Sequence, residues 1–147
     1  RIKECDISNI RFEIGRKNMG TYSDVMISVT PKGYEKIKKD QEKFADYELL
    51  KLFEITNFEK NGKSLILLKT EDTIKYYPEH EDIKQLEKTL SKLKDGYVFA
   101  RFGEEIWDIE FRNRAKIKEL LEPFQFIKEF SNNICKEFEK KEEEEFE

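Results

Sequence analysis

Residues 50–69 read LKLFEITNFEKNGKSLILLK, and the Asn61-Gly62 pair at the centre decides how this chain begins to fold. A type I′ turn needs positive φ at both central positions, which asparagine tolerates and glycine adopts freely. The stretch is therefore read as a hairpin with strands over 50–59 and 63–69. A two-residue loop fixes the register, placing Phe58 opposite Leu65, Thr56 opposite Leu67 and Ile55 opposite Leu68. Apolar side chains then fall on both faces, as in a strand buried on both sides. Residues 73–77 extend this with a short strand, and Pro78 bars it from continuing inside a central ladder.

Upstream, Ile10, Phe12 and Ile14 alternate, and Val25, Ile27 and Val29 do so again after the glycine-bounded segment 15–20. This pattern predicts a first hairpin with a long loop. Thr30-Pro31 is an N-cap followed by proline at the first helical position. It opens a helix over about 31–47, with Tyr34, Ile37, Phe44 and Tyr47 on one face; Gln41 interrupts that stripe. Downstream, Ile83, Leu86, Leu90 and Leu93 predict an amphipathic helix over 79–94, with Gly96 where a C-cap glycine belongs. Residues 97–102 and 105–111 then flank Gly103-Glu104 and read as a third hairpin with a type II′ turn. One of its faces carries Val98, Ala100, Trp107, Ile109 and Phe111. From about Asn113 the apolar residues Ile117, Leu120, Leu121, Phe124, Ile127, Phe130, Ile134 and Phe138 predict a long C-terminal helix. Pro123 removes an amide donor and crowds the preceding turn, so a kink or break is expected there.

The order is hairpin, helix, hairpin, helix, hairpin, helix. Hairpins exclude a purely parallel sheet, and the predicted fold is α+β: an antiparallel sheet from three hairpins carrying three helices in two layers. The 147 residues suit one domain, assigned to 1–135, with 136–147 as a charged tail. Charged residues make up 41% of the chain, and the net charge is −4. Residues 136–147 hold 3 Lys and 7 Glu, so the preceding 135 residues are neutral, with 25 charges of each sign. The tail is read as frayed and solvating, or as an acidic lure for a basic partner.

No run approaches the ~18 apolar residues of a membrane span, and no leader pattern opens the sequence, so a cytoplasmic protein without membrane contact is expected. Two cysteines, Cys5 and Cys135, do not make a disulfide framework. The single histidine, His80, rules out a zinc site built on a histidine pair and is expected to be exposed at a helix start. Gly15 to Gly20 has the gap of a phosphate loop, but Thr21-Tyr22 stands where Lys-Ser/Thr is needed, and a strand follows in place of a helix. Asp108 and Glu110 share one strand face and could grip a divalent cation for phosphodiester hydrolysis. No third ligand is evident.

The polar cluster that stands out is Arg101, Arg112, Arg114, Lys116 and Lys118. Three of the six arginines fall within the 14 positions from 101 to 114, and 112–118 holds four cations and no acid. Cations at a helix start oppose the macrodipole, so a bound anion, an acidic partner, or pairing with neighbouring carboxylates must offset them. The expectation is a non-catalytic interaction protein of inhibitor, immunity or accessory type, needing no cofactor and binding a protein partner. The alternative is a nucleic-acid-binding module using 112–118. The apolar face of Phe124, Ile127, Phe130, Ile134 and Phe138 is expected to pack against the domain's own sheet, with a homodimer through it as the alternative.

Overall fold

The computed structural model describes residues 11–14, 22–44, 49–105 and 108–127. Six strands form one sheet: β1 (Arg11–Ile14), β2 (Asp24–Val29), β3 (Phe53–Lys60), β4 (Lys63–Thr70), β5 (Val98–Phe102) and β6 (Ile109–Asn113). Their order is β1-β6-β5-β2-β4-β3, with every neighbouring pair antiparallel. Two α-helices, α1 (Pro31–Gln41) and α2 (Glu81–Ser91), and a 3-10 segment over Lys118–Phe124 complete an α+β fold.

The central hairpin has the register set by its turn. Phe58 pairs with Leu65, Thr56 with Leu67 and Ile55 with Leu68, while Asn61 and Gly62 have φ of 52° and 76°. The first expected hairpin does not form. β2 lies between β5 and β4, and β1 pairs with β6 at the far edge. The reason is visible in β2, where Val25, Met26, Ile27, Ser28 and Val29 are all buried. Alternation supplied one apolar face, but Met26 makes the second face apolar as well, and such a strand belongs in the middle of a sheet.

The third hairpin forms with a longer loop. Phe102 pairs with Ile109, so 103–108 make the connection and the partners differ by four positions from those of a two-residue turn. Gly103 is not among the residues with positive φ, which a type II′ turn would demand. A shift by an even number leaves the side chains of the paired residues on their expected faces. It also sets Arg101 opposite Glu110.

The sheet is covered on both faces over β2, β4, β5 and β6, which replaces the expected two layers with a sheet between two coverings, while β3, expected to be buried on both sides, is an edge strand exposed along most of its length. One face holds Val25, Ile27, Val29, Leu68 and Phe99 against Ile37, Ile83, Leu86 and Leu90 of α1 and α2. The other holds Met26, Leu65, Val98, Ala100 and Phe111 against Leu120, Phe124 and Ile127. Phe124 and Ile127 thus pack against the chain's own sheet, the favoured of the two expectations, at 0% and 1% exposure, and are not available to a dimer surface. Phe130, Ile134, Phe138, both cysteines, Trp107 and the 136–147 tail lie outside the described residues.

Both α-helices are shorter than their apolar patterns suggested. α1 ends at Gln41, whose side chain is buried and donates from Nε2 to the Asp82 carbonyl at 2.9 Å, so the polar break in its stripe ties the two helices together. α2 starts with exposed His80 as N-cap and ends at Ser91. Gly96 lies beyond the helix end, inside the connection to β5, with φ of 76°. Residue 74 makes only an isolated bridge to Ser23.

Candidate anion-facing end

Two features of the expected cluster had to be separated by the structure: which cations are consumed inside, and which reach the surface. Arg101 and Arg112 stand on β5 and β6 on the α2 side of the sheet and are buried. Arg101 Nη2 donates to Asp108 Oδ1 at 2.7 Å, Nη1 to Ser23 Oγ at 3.0 Å, and Nε to Glu110 Oε1 at 3.5 Å. Arg112 makes a two-pronged contact with Glu87 of α2, Nη1 to Oε1 at 2.6 Å and Nη2 to Oε2 at 2.8 Å. Its Nη1 also donates to Tyr97 Oη at 3.2 Å, and its guanidinium stacks 4.0 Å above the Phe99 ring. The Arg112 Nε lies 3.2 Å from Glu110 Oε2, close enough for ionic attraction but not aligned for a hydrogen bond.

These contacts join two guanidiniums and three carboxylates in one buried network. Burial alone would favour neutral Arg112, yet hydrogen bonds and attraction from Glu87, with Glu110 behind it, outweigh that and hold its pKa above the ordinary arginine value. Tyr76 donates to Glu87 Oε2, and burial together with the Glu87 charge raises its pKa well above that of a free phenol. Asp108 and Glu110 do share one side of the sheet, but both are directed at Arg101. Among the described residues no group of three or more His, Cys, Asp or Glu side chains is arranged to hold a metal ion.

Arg114, Lys116 and Lys118 are exposed. The helix expected from Asn113 begins only at Lys118, as a 3-10 segment, so none of the cluster sits in the first turn of an α-helix. Arg114 and Lys116 instead line a cleft of about 520 Å³ floored by Leu90, Leu93, Gly96 and Tyr97. A second hollow of about 210 Å³ adjoins it across Leu93, rimmed by Lys32, Lys36, Lys92 and Lys94.

The topology explains why these six cations meet. β2 and β5 are antiparallel, with Ser28 opposite Val98, so the exit of β2 into α1 and the entry from α2 into β5 lie at one end of the sheet. Val98 also pairs with Asn113, which brings the exit of β6 to that same end. Lys32 and Lys36 therefore come from the start of α1, Lys92 and Lys94 from the α2–β5 connection, and Arg114 and Lys116 from the stretch after β6. Among the described residues, the only acid lining either hollow is Asp95.

All six are exposed, and among the described residues none forms an ion pair. The contrast at the hairpin tip is direct. Lys60 pairs with Glu122 at 3.5 Å and Lys63 with Glu119 at 3.2 Å. Glu119 is fixed further by Asn61 Nδ2 at 2.9 Å; that hydrogen bond, then its own backbone and Lys63, hold its pKa down to about 2 against the opposing effect of burial.

The opposite end of the sheet carries exposed Asp24, Glu71, Asp72, Glu104 and Glu105. Comparison with protein-family models, curated proteins and solved structures finds no match.

Sequence reasoning found two of the six cations and missed Lys32, Lys36, Lys92 and Lys94. The signal available for Lys32 was the absence of any acid from the first turn of α1, where carboxylates are usual. Nothing in the one-dimensional pattern joins 32–36 to 92–94, because their proximity depends on β2 pairing with β5.

Proposed function

We propose that this protein acts by contact with an anionic macromolecule, docked on the end formed by Lys32, Lys36, Lys92, Lys94, Arg114 and Lys116. The observation that carries this reading is the clustering around two adjoining hollows of six exposed cations, none ion-paired among the described residues, in a chain whose net charge is negative. Like charges brought together without counter-charges repel one another and destabilise the compact state, and an anionic partner relieves that repulsion. Meanwhile Arg101, Asp108, Glu110, Arg112 and Glu87 are engaged with one another. They act as the polar part of the interior and anchor α2 to the sheet.

The test is retention on a cation-exchange matrix and binding to poly-glutamate at pH 7 and low salt. A chain of net −4 with evenly mixed charge would pass through such a matrix. Retention is expected, and it should vanish when Lys92, Lys94, Arg114 and Lys116 are all changed to glutamate. A variant with equal net charge, reversed at Lys39, Lys43, Lys69 and Lys75, should stay bound. Equal loss in both variants, or passage of the unaltered protein, would refute the assignment.

A further inference from the structure

Resting on that reading, we infer that the cationic end recognises the phosphate backbone of double-helical nucleic acid, without reading sequence. Three observations favour this partner over an acidic protein surface or a single strand. First, the cations are five lysines and one arginine. Lysine is a flexible point charge suited to phosphate, and it is depleted from protein–protein interfaces, whose anchors are aromatic side chains and arginine.

Second, among the described residues no exposed ring stands beside these cations. Tyr97 is 7% exposed and occupied by Arg112, while the exposed aromatic side chains of the described residues, Tyr22 and Phe126, lie elsewhere. A protein that grips a single strand relies on rings on which the bases stack, and a backbone-only contact does not. Third, the two hollows meet at Leu93, so the cations run as a track from α1 across the α2–β5 connection to the stretch after β6. A track of separate charges matches a row of phosphates better than it matches one compact ligand. The acids at the far end of the sheet lie more than one strand length away, beyond the ~8 Å screening distance of physiological salt.

Counterion release gives the expected size of the effect. Four to six phosphate contacts on a duplex give a slope of log K against log salt between about −3.6 and −5.4. Raising salt from 50 to 200 mM then weakens binding by about 150- to 1,800-fold. The experiment is fluorescence anisotropy with labelled DNA and RNA duplexes of two unrelated sequences, and with a single strand, between 20 and 200 mM salt. Lys92→Gln and Arg114→Gln should each make the slope shallower by about 0.9 while leaving the melting temperature unchanged.

Comparable affinity for both sequences supports the inference. A preference above tenfold for one sequence, tighter binding of the single strand, or a slope indifferent to both substitutions overturns it. No duplex binding at 20 mM salt, with poly-glutamate still bound, also overturns it and leaves the cationic end as a contact surface for acidic protein. Failure of both ligands removes the contact reading as well.

Discussion

Gly96 is a point where one methyl group would test both the packing of the α2–β5 connection and the cationic end it supports. Its φ of 76° lies in the left-handed region, which costs a residue with a side chain ~1–2 kcal/mol. The space around it is closed as well. A Cβ built on Gly96 would stand 2.0 Å from the Arg114 carbonyl oxygen and 3.0 Å from Lys116 N, both backbone atoms that cannot swing aside like a side-chain tip. Relief requires the stretch after β6 to move away, which strains the bond from Lys116 N to the Asp95 carbonyl at 3.0 Å and that from Arg114 N to the Tyr97 carbonyl at 2.9 Å.

At ~0.5–1.5 kcal/mol each, those bonds bring the expected cost of Gly96→Ala to about 2–5 kcal/mol. Gly62 is the matched control, because it has the same φ of 76° and nothing within 4 Å of its Cβ position. Gly62→Ala should therefore cost only the backbone part, ~1–2 kcal/mol. For a chain of this size each kcal/mol lowers the melting temperature by roughly 2–4 °C, so drops of about 10 °C and about 4 °C are expected. Urea unfolding followed by circular dichroism gives the free energies, with an unchanged m-value showing that the same surface unfolds. Because Gly96, Arg114 and Lys116 line one cleft, Gly96→Ala should also weaken poly-glutamate binding at temperatures where it is folded. A Gly96→Ala variant no less stable than Gly62→Ala would refute the close approach and the link between turn and cleft.

Two further outcomes follow from the charge network. Glu119 has a folded-state pKa of about 2, below the ordinary carboxylate value, so its contribution to stability is fully present above pH ~4.5 and lost as pH falls through about 2. The melting-temperature gap between the unaltered protein and Glu119→Gln should be constant from pH 8 to 5 and close between pH 4.5 and 2; a gap that widens on acidification contradicts the bond from Asn61. Arg101→Met leaves the buried carboxylates Asp108 and Glu110 without the cation they share and should cost ~3–5 kcal/mol in urea unfolding, whereas a loss below ~1 kcal/mol would mean the pairing contributes little.

What the sequence made legible followed how locally each feature is determined. The Asn61-Gly62 hairpin depends on two φ angles and a count of intervening residues, so its register could be written down without coordinates. The Thr30-Pro31 helix start is equally local, and the structure shows Thr30 Oγ1 accepting from Gly33 N at 3.1 Å. The partner of β2 is not local. Val25, Ile27 and Val29 announce one buried face, but the choice between β1 and β5 as neighbour depends on what covers Met26 and Ser28, and the covering residues Leu120, Phe124 and Ile127 lie about 100 positions away. The third hairpin shows the middle case. Its faces were readable because alternation survives a shift of four, while its loop length was not, since burying Asp108 and Glu110 against Arg101 favours six loop residues over two.

The same distinction divides the arginine and lysine residues, and it bears on what the surface is for. Proximity in sequence put Arg101 and Arg112 in one group with Arg114 and Lys116, yet β6 ends at Asn113, so Arg112 still points inward, while Arg114, which a continued strand would place on the same face, lies past the strand end and is exposed. Once inside, a guanidinium must be paired, and Glu87 and Glu110 supply the charges. Outside, no such requirement holds, and pairing becomes a choice that the fold makes differently in two places at one end. Lys60 and Lys63 at the hairpin tip face Glu122 and Glu119, whereas the six cations around Leu93 line two hollows in which, among the described residues, Asp95 is the one acid. A chain with 32 acidic side chains has ample means to neutralise that end, and Glu119 shows that it does so a short distance away. Among the described residues the charge at that end stays uncompensated, and the proposed contact with an anionic macromolecule rests on this difference.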